Sequence, residues 1–174
     1  GMDIDAAGLV TLGKLGKAVY PKGVEELERV AASTSIPFII KGVMSVDEAR
    51  AAVDTGASGI VVSNHGGRVL DSAQASAEVL PKIAEAVGDS CTLLVDGGVR
   101  SGTDLFKMLA LGADAVLVGR PFAIAAIGGG AEAVREEFER LRTELIHSMI
   151  MTGCPSIEAI SRRSLFKTFP QYLD

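Results

Sequence analysis

The sequence predicts an α/β fold in which parallel β-strands alternate with α-helices. Three observations lead to this prediction: short apolar runs rich in β-branched residues, segments between them with apolar residues at helical spacing, and an internal repeat. The apolar runs are continuous rather than alternating, as expected of strands that are covered on both faces. A chain in which strands and helices alternate forms parallel βαβ units with right-handed crossovers.

The predicted elements follow one another in a regular order. Strands are predicted from continuous apolar composition at Ile36–Ile40, Gly59–Val62, Thr92–Val95 and Ala115–Val118. Helices are predicted from apolar residues at helical spacing at Val24–Ser33, Val46–Thr55, Ser76–Val87 and Thr103–Leu111. Gly56 and Gly112 lie where a helix commonly ends in glycine. After the glycine run Gly128–Gly130, a further helix is predicted over Ala131–Thr152.

The internal repeat indicates how these elements are arranged. Phe38–Gly42 matches Leu93–Gly97, and Gly56–Val62 matches Gly112–Val118, so each repeat is a strand-helix-strand unit. A closed (β/α)8 barrel needs eight strands and about 250 residues. The 174-residue chain is therefore predicted to form about half of such a barrel. A small doubly wound sheet fits the length better but explains the repeat less well.

Length and composition favour a single globular domain over residues 1–174. The net charge of −5 and an aromatic content of 5% disfavour a nucleic-acid-binding protein. No apolar run approaches the roughly 20 residues of a membrane span, and no basic region precedes an apolar segment as in a signal peptide. We therefore expect a cytoplasmic protein with neither a nucleic-acid nor a membrane partner.

Polar, glycine-rich segments follow the predicted strands. These segments are Lys41-Gly42, Ser63–Arg68, Asp96–Arg100 and Gly119–Pro121. Because the carboxyl ends of parallel barrel strands face one way and form the active face, the four segments are expected to converge on one site. The two cysteines are far apart in sequence, and we predict no metal site.

Two of these segments suit a phosphate group. Gly97, Gly98 and Gly119 would let backbone amides approach an anion closely, and Arg120 would add a bidentate charge. The alternative interpretation is that the glycines only form tight turns between strand and helix.

The segment after the second strand carries acid-base candidates. His65 lies in a glycine-rich loop, and histidine is well suited to take up a proton at neutral pH; a capping or core histidine is the alternative. Arg68 is placed to bind a carboxylate bidentately, and Lys41 to neutralise an anionic cofactor. Asp5 either orients His65 or is a solvated acid near the start of the sequence.

Taken together, these motifs resemble the FMN-dependent α-hydroxy acid oxidase and dehydrogenase family, which includes glycolate oxidase and lactate oxidase. The resemblance rests on Ser63–Asp71, with Lys41-Gly42 before it and Asp96–Gly102 and Gly119–Pro121 after it. It runs from about Asp5 to the end of the chain and covers only the second half of the family's barrel. The resemblance implies a TIM barrel with FMN at its carboxyl face.

The resemblance also implies a role for each motif residue. His65 is implied as the base that takes the substrate hydroxyl proton, Arg68 as the clamp on the substrate carboxylate, and Asp5 as the acid beside the histidine. Lys41 and Ser63 are implied as contacts to the flavin ring. The implied ribityl and phosphate contacts are Asp96, Gly97, Gly98, Val99, Arg100, Gly119 and Arg120.

Two functions of different class follow. The first is FMN-dependent oxidation of a small 2-hydroxy acid, by hydride transfer or by a carbanion route; the 174-residue chain is expected to be inactive on its own because the first half of the barrel supplies substrate contacts. The second is a non-catalytic half-barrel that self-associates and binds at most phosphate. Another FMN barrel enzyme, such as a type 2 isopentenyl diphosphate isomerase, is disfavoured by the pair of His65 and Arg68.

The half-barrel itself predicts self-association. Four strands leave two open edges, at Ile36–Ile40 and Ala115–Val118, and open strand edges invite pairing with another chain. We expect a homo-oligomer with an apolar interface.

Overall fold

The computed structural model describes residues 1–8, 13–16 and 19–165 of the 174-residue chain. Its internal contacts divide the chain into two compact units. The first unit comprises Gly1–Val99 and Ala113–Val118, and the second comprises Arg100–Gly112 and Gly119–Asp174. That residues 1–174 form a single domain stays a prediction.

A parallel sheet of five strands, in the order β1-β2-β3-β4-β5, is the centre of the first unit. The strands are β1 (Met2–Asp3), β2 (Ile39–Val43), β3 (Gly59–Val62), β4 (Thr92–Val95) and β5 (Ala115–Val116). Each strand lies beside the strands that precede and follow it in sequence, so every connection advances the sheet by one strand. This is the strand order of a (β/α)8 barrel.

Three details of the predicted sheet are wrong, and one is that the strand predicted over Ala115–Val118 spans only Ala115–Val116. The predicted strand Ile36–Ile40 instead spans Ile39–Val43. Pro37 lacks the N–H that a ladder needs, and pairing begins only beyond it. The sheet also has a fifth strand, because Met2 and Asp3 pair in parallel with Ile40 and Lys41. Among the described strands the edges of the sheet are therefore β1 and β5, and the predicted edge at Ile36–Ile40 is an interior strand.

The core of the first unit is built on the central strands. All of β3 is buried, which agrees with its continuous apolar sequence. The large hydrophobic side chains with no exposed surface are Ile40, Val43, Ile60, Val62, Leu93 and Val95 of the strands and Leu80 and Ile83 of a helix. The α-helices whose bounds are described in this unit are α1 (Val24–Ala32), α2 (Val46–Asp54) and α3 (Ser76–Val87).

The ends of α2 show why the sequence forms a helix there. The Ser45 side chain accepts a hydrogen bond from the Glu48 amide, and the Glu48 carboxylate accepts one from the Ser45 amide. This reciprocal pair satisfies backbone donors that a helix start leaves unpaired. At the other end Gly56 has a φ of +83°, so it ends the helix in the left-handed conformation that glycine adopts freely.

The second unit is helical and contains α4 (Gly102–Ala110) and α5 (Arg120–Thr152). The sequence predicted a helix only from Ala131, but α5 begins at Arg120, and within the glycine run only Gly130 leaves the helical conformation. Phe106, Ala110, Cys154 and Ile160 form the buried cluster of this unit. No helix in the described ranges combines the length and the apolar character that crossing a membrane requires.

The start of α4 lies directly against the backbone of α5. The Gly102 amide donates a hydrogen bond of 2.7 Å to the Glu144 carboxylate. Thr103 and Ser148 are joined by a hydrogen bond of 3.1 Å between their hydroxyl groups. A Cβ atom on Gly102 would lie 2.2 Å from the Leu141 carbonyl oxygen and 2.3 Å from the Leu145 nitrogen. The absence of a side chain at residue 102 therefore sets the distance between the two helices.

We expect Gly102→Ala to lower the free energy of unfolding by about 1–3 kcal/mol or more, because overpacking usually costs this much and the helix backbones must move apart. Gly128→Ala is the matched control, since nothing lies within 4 Å of its added Cβ. Alanine in a helix is favoured over glycine by about 1 kcal/mol, so the control should be neutral or stabilising. Urea denaturation measures both changes, and equal stabilities would contradict the helix contact.

Candidate active site

The first unit brings several predicted site residues to the carboxyl edge of the sheet. Asp5 follows β1, Ser63 and His65 follow β3, and Asp96 follows β4. Lys41 is the middle residue of β2 and directly precedes Gly42, where the pairing with β3 becomes irregular. These five residues come from four different strands, and the parallel arrangement alone places their strand ends at one edge.

Asp5 and His65 form the central contact of this edge. The Asp5 Oδ1 atom lies 3.3 Å from the His65 Nδ1 atom, and each side chain is 14% exposed. Asp5 is therefore not a solvated acid. A carboxylate at Nδ1 favours the tautomer that carries its proton there, which leaves Nε2 as the proton-accepting nitrogen. The pair is thus arranged for general base chemistry.

Gly42 makes room for Asp5. Its φ is +101°, and a Cβ at this position would lie 2.7 Å from the Asp5 Cγ atom. The Ile4 amide donates a hydrogen bond of 2.8 Å to the Lys41 carbonyl and fixes the backbone just before Asp5. Any other residue at position 42 would push the carboxylate away from β2.

The loop after β3 holds His65 in an uncommon conformation. His65 has a φ of +54°, in the left-handed region that residues other than glycine rarely adopt. Its amide donates a hydrogen bond of 3.1 Å to the hydroxyl of Ser63, which is fully buried. The Arg68 Nε atom donates a hydrogen bond of 3.1 Å to the His65 carbonyl. Ser63 and Arg68 therefore both act on the backbone of His65, and Arg68 itself is exposed.

Lys41 is held by two carboxylates. Its Nζ atom lies 2.9 Å from Asp3 Oδ1 and 3.6 Å from Asp96 Oδ2. Burial lowers the pKa of Lys41, but the hydrogen bond that its ammonium group donates to Asp3 and the charges of Asp96, Asp3 and Asp5 together outweigh it, so the pKa is raised above its ordinary value. The ammonium group therefore stays charged at neutral pH.

Asp3 was missed by the analysis of the sequence. It pairs with Lys41 across β1 and β2. The signal that could have found it is the alternation of apolar and acidic residues over Met2-Asp3-Ile4-Asp5, which is the period-two pattern of a strand.

Two carboxylate oxygens at this edge are buried without a hydrogen-bond partner among the described residues. They are Asp5 Oδ2 and Asp96 Oδ1. Leaving a buried acceptor unsatisfied is costly, and each such atom in a folded protein calls for an explanation. A ligand that offers hydroxyl or N–H donors here would satisfy them.

The turn after β4 leaves its backbone open to a ligand. Gly97 has a φ of +100°, and an added Cβ would lie 2.7 Å from the hydroxyl oxygen of Ser76, which donates to the Asp96 carbonyl. Gly98 has a φ of +76° and faces open space. Val99 is 2% exposed and belongs to the core, and its role as a ligand contact stays a prediction. Ser76 is a second residue that the sequence did not single out.

The remaining predicted contacts belong to the second unit. The Arg100 amide donates to the Asp104 carboxylate at 3.0 Å, and the Arg100 carbonyl accepts a hydrogen bond of 2.8 Å from Arg140. Gly119 directly precedes α5, and Arg120 is its exposed first residue. That Arg100, Gly119 and Arg120 converge with the residues of the first unit stays a prediction.

Asp3, Asp5 and His65 also have the composition of a metal-ligand group, with their ligand atoms all within 4.8 Å of one another. The sequence predicted no metal site. Lys41 already supplies a positive charge 2.9 Å from Asp3, and this charge would repel a cation bound to the same carboxylate. We interpret the group as an acid-base arrangement.

Comparisons with known proteins agree with the motifs of this edge. A family model described as FMN-dependent dehydrogenase matches residues 15–167. A 4-hydroxymandelate oxidase of Amycolatopsis orientalis is 49% identical over 142 residues, which cover 82% of this chain and 40% of the relative. An L-lactate dehydrogenase of Caulobacter sp. (strain K31) is 51% identical over 132 residues, which cover 76% of this chain and 35% of the relative.

A solved structure is similar as well. A mandelate oxidase mutant with (S)-mandelic acid superposes with a TM-score of 0.84 at 41% sequence identity, over 92% of this chain and 52% of that chain. The chain thus spans about half of that solved protein and 40% or less of the two curated relatives.

We expect Gly42→Ala to lower the free energy of unfolding by about 2–4 kcal/mol. About 1–2 kcal/mol comes from a side chain in the left-handed conformation, and the rest comes from the clash with Asp5. Gly67→Ala is the matched control, because Gly67 has a φ of +75° but nothing within 4 Å of an added Cβ. Gly67→Ala should therefore lower the free energy of unfolding only by the conformational contribution of about 1–2 kcal/mol. Equal losses in a urea titration would show that Asp5 does not need the space at residue 42.

Proposed function

This chain belongs to the FMN-dependent dehydrogenase family, and on that premise we propose that it supplies the proton-accepting part of an enzyme that oxidises small 2-hydroxy acids. The single observation that carries the proposal is the contact between Asp5 and His65 at the carboxyl edge of the sheet. The family has the TIM-barrel fold, and the five parallel strands with their helices make about half a barrel, so the predicted fold class is confirmed.

His65 is the proposed general base. Asp5 holds the ring through Nδ1, so Nε2 can take the hydroxyl proton of a 2-hydroxy acid. The imidazolium that forms is then stabilised by the negative charge of Asp5, as in other acid–histidine pairs. A positioned general base of this kind contributes about 10²–10⁴-fold to the rate.

A bound FMN would supply the acceptor for the two electrons that leave the substrate α-carbon. Lys41 places a positive charge at the edge of the sheet where negative charge would arrive, which lowers the energy of that arrival. The orphaned Asp96 Oδ1 fits a hydroxyl donor of the kind that a ribityl chain carries. The open backbone at Gly98 fits the close approach of a polar group. The residues of the first unit therefore fit this cofactor.

The substrate class is supported by the relatives and by Arg68. The relatives are named for 4-hydroxymandelate and lactate, which are both 2-hydroxy acids. Arg68 is proposed to bind the substrate carboxylate, since a guanidinium group pairs bidentately with a carboxylate. Its hydrogen bond to the His65 carbonyl would then hold the carboxylate clamp and the base at a constant separation. Phosphate binding by the second unit and a cytoplasmic location stay predictions.

The proposed base is tested in a complete barrel that contains this chain. We expect His65→Ala to retain FMN, seen in the flavin absorbance, and to slow flavin reduction by mandelate or lactate by about 10²–10⁴-fold. His147→Ala is the control, because His147 is the other histidine and lies on α5 in the second unit. Near-normal reduction in His65→Ala would exclude the base role, and loss of FMN in that variant would indicate a role in binding instead.

We further propose that the 174-residue chain self-associates and does not turn over by itself. The edges β1 and β5 are open, and large apolar side chains are exposed in both units. They include Ile36, Leu70, Ile124, Ile127, Ile150 and Met151.

Light scattering at micromolar concentration should report a dimer or a larger assembly, held by an interface above roughly 1,000 Å². The physical reason is the open strand edges and apolar side chains that an isolated half-barrel leaves uncovered. A stable 18.0 kDa monomer would contradict self-association. Robust oxidation of a 2-hydroxy acid by the isolated chain would contradict the proposed inactivity.

A further inference from the structure

We propose that Asp3 is a positioning residue that orients the Lys41 ammonium group and partly offsets its charge, and thereby sets how strongly this site stabilises electrons arriving on a bound flavin. The redox part of this inference rests on the function proposed above. The contact between Asp3 and Lys41 stands on geometry alone.

Asp3 makes the shorter of the two ion-pair contacts of Lys41. Its Oδ1 atom lies 2.9 Å from the ammonium nitrogen, compared with 3.6 Å for Asp96. The two residues are aligned in register across β1 and β2, and the hydrogen bond from the Ile4 amide to the Lys41 carbonyl holds the same stretch of backbone. The two-residue strand β1 therefore has a function besides extending the sheet: it delivers a carboxylate to Lys41.

The charges around Lys41 are unbalanced. Asp3 comes from β1, Asp5 follows β1, and Asp96 follows β4, and all three carboxylates influence the one ammonium group. His65 is the further titratable group in contact with this set, through Asp5. The excess of negative charge opposes the arrival of electrons at this edge of the sheet. Asp3 is the more exposed residue of its ion pair with Lys41, since 40% of its side chain is accessible compared with 25% for Lys41. A substitution at Asp3 should therefore have little effect on the core.

The sign of the effect follows from electrostatics. Replacing Asp3 by asparagine keeps a hydrogen-bond acceptor for the ammonium group but removes one negative charge. The site then stabilises added negative charge more strongly, and the midpoint potential of a flavin bound there rises. The same change removes a partner that favours the charged form of Lys41, so Lys41 loses its proton at a lower pH.

The first experiment follows Lys41 in the purified 174-residue chain without FMN. The side-chain carbon signals of labelled lysine are titrated with pH by NMR, and the Lys41 signal is assigned by its loss in Lys41→Gln. Asp3→Asn and Asp3→Ser should both lower the titration midpoint of Lys41. Asp54→Asn is the control with the same change in net charge, since Asp54 is an exposed residue at the end of α2. An unchanged midpoint in folded Asp3 variants overturns the proposal and leaves Asp96 as the counter-ion.

The second experiment measures the midpoint potential of FMN added to the same proteins. Asp3→Asn should shift the equilibrium about tenfold toward reduced FMN, which is about 30 mV for a two-electron couple, and Asp54→Asn should not. If FMN is bound but the potentials of wild-type and Asp3→Asn are equal, then the tuning role is overturned while the proposed function stands. If the wild-type chain binds no FMN, then cofactor binding by this chain fails and the redox role fails with it, whereas the Lys41 titration still decides whether Asp3 is its counter-ion.

Discussion

The candidate site depends on one steric constraint, the absence of a side chain at residue 42. Asp5 occupies the space that a Cβ on Gly42 would fill, and from there its carboxylate reaches His65. The backbone at Gly42 also turns through a positive φ of +101°, which glycine adopts without strain. Both demands meet at one residue, so a single glycine couples the end of β2 to the geometry of the acid-base pair.

The internal repeat places a second glycine with the same role after β4. Lys41-Gly42 and Asp96-Gly97 are equivalent in the repeat, and both glycines have nearly the same positive φ, +101° and +100°. Each makes room for a polar side chain, Asp5 at Gly42 and Ser76 at Gly97. The residues that precede the two glycines carry opposite charges and form an ion pair of 3.6 Å. The repeat has therefore preserved a backbone turn while the charge of the neighbouring side chain differs between the two copies.

An enzyme part explains this edge better than a scaffold that only self-associates. A scaffold gains nothing from a mostly buried carboxylate and histidine in contact, or from a left-handed conformation at His65. Conformations of this kind persist where function over-determines the backbone. The unpartnered oxygens of Asp5 and Asp96 support the same conclusion, because a folded protein rarely leaves buried acceptors unsatisfied unless a ligand completes them.

The sequence by itself determined the elements that depend on local patterns. Apolar runs predicted β3 and β4, helical spacing predicted α2, α3 and α4 with glycine end signals after α2 and α4, and the motif after β3 pointed to His65. These features could be predicted because periodicity, capping residues and glycine turns act over a few neighbouring positions. The sequence did not predict the start of α5, because the apolar run before Gly128 is compatible with either a strand or a helix.

Only the tertiary structure decided the contacts that join distant parts of the chain. β1 has only two residues, and the short alternation around it becomes a strand because β2 offers it a ladder of hydrogen bonds. Asp5 and His65 are 60 positions apart, so their contact depends on the parallel register of three strands. Lys41 acquired Asp3 as a partner in the same way. The sequence determined which chemical groups stand at the strand ends, and the register of the sheet decided which of them meet, because pairing between strands is a property of the folded chain.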